Sequence, residues 1–158
     1  MAPWLAKAAL ATLAVTPVFV AIPYLKRNHG IDPLVFLAWY FGATAVSVAA
    51  FLAIAGRGAE LAPRPLVIAA IVAIGLTLGA TANGLLFQAV TLAPNPGLPP
   101  VVYATSSMIV FVLSVLLAAL FPQLFVTVSS DPVRLSGIAL VIAGLFLLAG
   151  GANGGAGR

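Results

Sequence analysis

The chain has 158 residues, of which 63% are hydrophobic and 6% charged, with a formal net charge of +4. A soluble domain carries about 25% charged residues, so this composition excludes a water-covered surface and points to a single domain lying in the bilayer. Lys7, Lys26, Arg27, Arg57, Arg64, Arg134 and Arg158 are scattered and form no basic face for nucleic acid, and the absence of cysteine excludes a disulfide framework and thiol chemistry.

The first apolar run extends from Ala8 to Leu25, behind Lys7. It is longer than the roughly 7–15 residues of a signal-peptide core and lacks a small-residue cleavage site, so it reads as a retained span. Pro17 and Pro23 fall inside it. Each removes a backbone donor and crowds the carbonyl one turn back, which makes both hinge candidates. A polar break, Lys26 to Pro33, leads to a second span from Leu34 to about Ala55. The break from Gly56 to Pro65 precedes a third span, Leu66 to about Leu92. The proline-dense stretch APNPGLPP, Ala93 to Pro100, opens a fourth span from about Val101 to Phe121. After Pro122 to Val133 comes a fifth, Arg134 to Ala149, and then a glycine-rich tail.

These lengths suit helices crossing a hydrocarbon core about 30 Å thick, which takes about 20 residues. A backbone in lipid must satisfy its own hydrogen bonds, which favours helix; the alternating ten-residue segments of a membrane barrel are not seen. The expected fold is all-α, a polytopic membrane helix bundle of five transmembrane helices. It would occupy residues 1–150 as one domain, with a flexible tail over 151–158. Five spans place the termini on opposite sides. Lys7, Arg57, Arg64 and Arg134 then lie on one side and Lys26, Arg27 and Arg158 on the other, a Lys/Arg bias too small to fix orientation strongly.

No span carries an acid or base in its interior, and such groups are the usual mark of pumps and ion-coupled carriers. What remains is uncharged. At about 100° per residue, Thr77, Thr81, Gly84 and Gln88 share a stripe of span three, and Tyr103 and Ser107 share one of span four. Span two adds Tyr40, Thr44 and Ser47, beside Trp39. Such faces often serve helix packing alone, as the Gly75/Gly79 and Gly137/Gly144 spacings do. Asn83, Gln88 and Tyr103 are costlier to bury and more apt to face a cavity. The candidate solute-binding set is Trp39, Tyr40, Thr77, Thr81, Gln88, Tyr103 and Ser107. His29 is alone in a charged loop, without metal-ligand companions. Asp32, Glu60 and Asp131 all fall in breaks, and no nucleophile–base pair or phosphate-cradling loop is present. Neither catalysis nor a metal or other cofactor is expected.

The stretch NGLLFQAVTLAPNPGLPPVVYATSSMIVFVLSVLLAALF (Asn83–Phe121), the segment GIDPLVFLAWYFGAT (Gly30–Thr44) and the closing RLSGIALVIAGLFLLAGG (Arg134–Gly151) together resemble the EamA-type repeat of the drug/metabolite transporter superfamily. Phe121–Arg134 lacks the Gly-Glu-Arg-like element common between helices four and five of that repeat. Trp39 and Tyr40 stand where the second helix often has an arginine, and span one lacks the glutamate of the small multidrug branch. The family usually joins two such repeats in opposite orientation, the general plan of inverted-repeat carriers; this chain has one. The resemblance implies a carrier subunit for a small neutral or amphipathic solute, paired with a second copy or a sister five-helix chain in the bilayer of the bacterial inner (cell) membrane. The rival expectation is a non-transporting accessory subunit of a larger membrane complex.

Overall fold

The computed structural model describes residues 3–125 and, beyond them, Ser136, Gly137, Ala139, Leu140, Val141, Ala143, Gly144 and Leu147. All regular structure among the described residues is helical. Helix α1 spans Pro3–His29, α2 Pro33–Ile54, α3 Pro65–Ile74, α4 Ala80–Leu92, α5 Leu98–Tyr103 and α6 Ser106–Leu120. A π-helical turn, Gly75–Gly79, joins α3 to α4, and a 3-10 turn, Gly58–Leu61, lies between α2 and α3. Four helical stretches, Pro3–His29, Pro33–Ile54, Pro65–Leu92 and Leu98–Leu120, are long and apolar enough to cross a membrane. Most of the expected fifth span and all of the tail lie outside the described residues; the described ones within that span are helical. The chain divides into two compact units, Met1–Pro99 and Pro100–Arg158, where the sequence reads as one domain.

The first helix is longer at both ends than its apolar run. Lys26, Arg27 and His29 form its last turn, so the expected polar break begins only at Gly30. Cations complement the partial negative charge of a helix C-terminus, which explains why these residues continue the helix. Gly30, at φ 66°, then stops it, its N–H donating to the Lys26 carbonyl at 3.1 Å. This is the left-handed cap that glycine adopts without steric cost. The helix runs unbroken through Pro17 and Pro23. Membrane helices accommodate proline more readily than soluble ones; on the same helix the hydroxyls of Thr12 and Thr16 donate to the carbonyls of Ala8 and Thr12, at 3.0 and 2.8 Å.

Asp32 caps α2: its carboxylate accepts from the Leu34 N–H at 2.7 Å, and Pro33 takes a helical position where a missing donor is harmless. At the other end Gly56, at φ 73°, and Arg57 donate to the carbonyls of Ala53 and Leu52 at 3.1 and 2.8 Å. That is the double hydrogen bond of a Schellman cap. Arg57 then grips Glu60 in a fork, Nε to Oε1 at 2.8 Å and Nη2 to Oε2 at 2.6 Å. The pair holds the Glu60 carboxyl below its usual range and raises Arg57. Whatever stability it adds is present above the ordinary carboxylate value of about 4.3 and is lost as pH falls through the lowered one. Full exposure to solvent keeps that contribution small.

In the first unit α1, α2 and α4 meet at one seam. Ile22, Leu86, Phe87 and Val90 are buried there, with Val18, Phe19, Phe36, Leu37 and Tyr40 packed around them. Phe36, Tyr40 and Phe41 place their rings 5.9, 6.3 and 6.4 Å from that of Phe87, within the range of favourable tilted aromatic pairs. Lys26 Nζ donates to Thr91 Oγ1 at 3.2 Å, tying the end of α1 to α4. By contrast every residue of α3 is exposed, and α3 scarcely touches α2. Ile54 is 88% and Leu66 82% exposed. Apolar surface on this scale is what lipid or a protein partner covers.

In the second unit the fourth stretch is interrupted between Tyr103 and Ser106. The hydroxyls of Thr105 and Ser107 donate to carbonyls three residues back, Val102 and Ala104, at 2.6 and 2.7 Å, and the N–H groups of Thr105, Ser107 and Met108 also bond three residues back. Hydroxyl side chains compete in this way with the helical ladder, which accounts for a break that the apolar pattern conceals.

Candidate functional site

The local event that builds a site is the π turn. In Gly75-Leu76-Thr77-Leu78-Gly79 the backbone bonds reach five residues rather than four, and Ala80 N–H bonds to the Gly75 carbonyl. Such single turns within α-helices are often found at functional sites. The wider turn holds one extra residue, so a side-chain pattern counted at α-helical spacing slips by roughly 100° across it. Below the turn α4 packs on α2; above it α3 leaves α2.

Between them lies a cleft of about 480 Å³, lined by Leu34, Leu37, Ala38 and Phe41 of α2 and by Gly75, Gly79, Ala80 and Asn83. The first wall is apolar and aromatic. The second is almost without side chains, because glycine and alanine occupy it, and so the cleft is open rather than filled. Its volume lies within the roughly 300–1,000 Å³ of small-molecule sites. The one polar side chain in the lining is Asn83. Its Nδ2 donates to the Gly79 carbonyl at 2.9 Å. A carbonyl only accepts, so the amide nitrogen must face it. Among the described residues nothing donates to the Asn83 Oδ1, and Asn83 is half-buried. No group of three His, Cys, Asp or Glu side chains comes together among the described residues.

The sequence-predicted residues are placed differently. Trp39 is 79% exposed. Tyr40 is half-buried and belongs to the aromatic cluster, stacked on Phe36 at 5.9 Å and edge-on to Phe41 at 5.4 Å. Thr77 lies in the π turn and donates to the Ala73 carbonyl at 2.7 Å. Thr81 and Gln88 keep their i, i+7 relation on α4, are exposed, and make no side-chain hydrogen bond among the described residues. None of these five lines the cleft. Tyr103 and Ser107 belong to the second unit; Tyr103 is 47% exposed, and the Ser107 hydroxyl is spent as donor on Ala104. Thr44 and Ser47 likewise donate to carbonyls of their own helix, each at 2.8 Å.

Sequence reasoning singled out Asn83 as costly to bury and apt to face a cavity, left it out of the solute-binding set, and read Gly75/Gly79 as packing. The signal for the cleft was present in their combination. Two glycines followed at the same spacing by an amide leave a helix face with room and one hydrogen-bonding group.

Compared with protein-family models, curated proteins and solved structures, the chain gives no match.

Proposed function

We propose that the chain is a membrane carrier subunit for a small neutral or amphipathic solute, working as one five-helix half of a pair. The resemblance to the EamA-type repeat supports this reading. The observation that carries it is chemical: no acid or base stands between Lys7 and Lys26 of the first helix or anywhere in the other three long stretches. What the helices offer instead is amides, hydroxyls and aromatic rings. A charged solute would be left unpaired in such surroundings at a cost of several kcal/mol, whereas a neutral one needs only a few hydrogen bonds. Proton coupling has no group to act through.

Its small core supports pairing. Only Ile22, Leu86, Phe87, Val90 and Ala118 are buried among the described hydrophobic residues, so most apolar surface is free for lipid and a second half. The near-balance of Lys/Arg across the expected membrane faces suits an antiparallel pair of identical copies. A cysteine placed at Ala2 is therefore expected to be labelled by impermeant reagent from both sides of the membrane. Exclusive labelling from one side rules out the antiparallel homodimer.

A non-transporting accessory subunit of a larger membrane complex is the second reading, favoured by the departures from the repeat in Phe121–Arg134 and at Trp39 and Tyr40. Gln88→Leu and Tyr103→Leu separate the two. In proteoliposomes a carrier is expected to lose flux of N-acetyl-leucinamide, a neutral amphipathic probe, about tenfold per lost polar contact while assembling normally. If the two variants change assembly and nothing else, the accessory reading holds.

A further inference from the structure

Where α1 and α4 both finish, the first unit carries two adjacent cations. Lys26 and Arg27 follow Leu25 directly, at the close of the first apolar run. Lys26 stands one turn beyond Ile22, which is buried in the seam, and residues four apart share a helix face. Its Nζ donates to Thr91 Oγ1 at 3.2 Å. The Thr91 hydroxyl gives its own proton to the Gln88 carbonyl at 2.8 Å, so it meets the ammonium as an acceptor. Thr91 is half-buried beside the buried Val90. Lys26 is therefore braced across the rim between two helices by a neutral partner, and two of its three N–H donors remain.

No other group of the chain takes up these charges. The carbonyls of Lys26 and Leu25 accept from the N–H groups of Gly30 and Ile31, at 3.1 and 3.4 Å, and neither cationic side chain caps the helix end. Asp32, the nearest acid in sequence, accepts the Leu34 N–H at 2.7 Å and lies beyond ion-pair distance of both. Among the described residues the one ion pair is Arg57 with Glu60, and Arg27 makes no side-chain hydrogen bond. Lys7 and Arg64 also lack an acid, but each stands apart from any other cation in sequence. A helix that crosses the hydrocarbon brings its terminal cations to headgroup level, where their stems reach the phosphates.

We infer that the Lys26–Thr91 rim binds the phosphate of an anionic lipid headgroup. Lys26 supplies two donors from its braced position, and Arg27, about 100° further round the helix, adds a second positive charge to the same turn. The free oxygens of a phosphate diester accept charge-assisted hydrogen bonds from such groups, and its negative charge is the one the rim lacks. A zwitterionic lipid brings a cation of its own and gains less. This goes beyond the carrier reading and does not depend on it, since it needs only that the apolar stretches lie in a bilayer.

The test places the full chain in nanodiscs of equal parts phosphatidylglycerol and phosphatidylcholine, returns it to mild detergent, and counts retained lipid by native mass spectrometry. Phosphatidylglycerol is expected to be retained over phosphatidylcholine by about 25-fold, the product of about fivefold for each cation near an anionic surface. Lys26→Gln and Arg27→Gln should each lower that ratio about fivefold, and Lys26→Arg should keep it. Arg27 is exposed and free of contacts, so its variant reads the charge without disturbing the fold. Thr91→Val leaves the charge and removes the brace; it should lower the ratio about threefold, because an unbraced lysine loses rotamer freedom on binding. Arg64→Gln, which removes the same charge elsewhere, should leave the ratio unchanged, as should excess inorganic phosphate. Equal retention of the two lipids, an Arg64→Gln effect as large as that of Lys26→Gln, or a ratio indifferent to Thr91→Val overturns the proposal. Loss of the lipid to inorganic phosphate also overturns it, and assigns the rim to a soluble phosphate instead.

Discussion

Replacing Phe87 with alanine is expected to lower the stability of the folded chain by about 3 kcal/mol, the low end of the range for such truncations in soluble cores. The low end applies because lipid is as apolar as the seam, so burial from water contributes little between membrane helices and packing contributes most. Phe87 is 3% exposed, and its ring meets those of Phe36, Tyr40 and Phe41 at once. Truncation leaves a cavity in the seam that joins α1, α2 and α4. For a chain of about this length the loss corresponds to a fall in melting temperature of roughly 6–12 °C, read by thermal denaturation in mild detergent. Phe51→Ala, a truncation of a residue 66% exposed on α2, is the matched control and should leave the transition where it is. Equal effects of the two variants would place the core elsewhere.

A larger side chain at Gly84 should damage both stability and the cleft. Gly84 is buried on α4, and a Cβ there meets Leu34 Cδ2 at 3.4 Å. That is ordinary contact with the end of a flexible side chain, so Gly84→Ala is expected to be nearly neutral. Gly84→Leu exceeds the space. It must either part α2 from α4 or drive Leu34 into the cleft it lines, and overpacking of this kind costs about 1–3 kcal/mol. The drop in melting temperature is expected of Gly84→Leu, while Gly84→Ala keeps the parent's transition. A leucine variant that melts like the parent would show that the two helices are not in contact at this point.

The sequence made the helices legible because their apolar runs are long and the breaks hold nearly all the charge. Caps were less legible. Lys26-Arg27-Asn28-His29 looks like loop by polarity, yet its cations suit a helix end, and only the glycine that follows ends the helix. Asp32 and Pro33 were readable as a turn and act as a cap and a first helical residue. The π turn was invisible, because Gly-Leu-Thr-Leu-Gly fits an α-helix equally well. Thr77, counted in the polar stripe, lies inside that turn. The aromatic character of Tyr40 was seen, but its partners Phe36, Phe41 and Phe87 come from two helices and were not. The cleft itself depends on small residues on one helix facing large ones on another, a pairing that no single-chain periodicity encodes.

Coupling is where the account stands or falls. Flux of radiolabelled N-acetyl-leucinamide into proteoliposomes, with and without an imposed proton gradient, measures it directly. The uncharged interior predicts saturable flux above protein-free liposomes that is the same in both conditions. Flux that appears only with the gradient, or none above the empty membrane, contradicts an uncoupled carrier of neutral solutes.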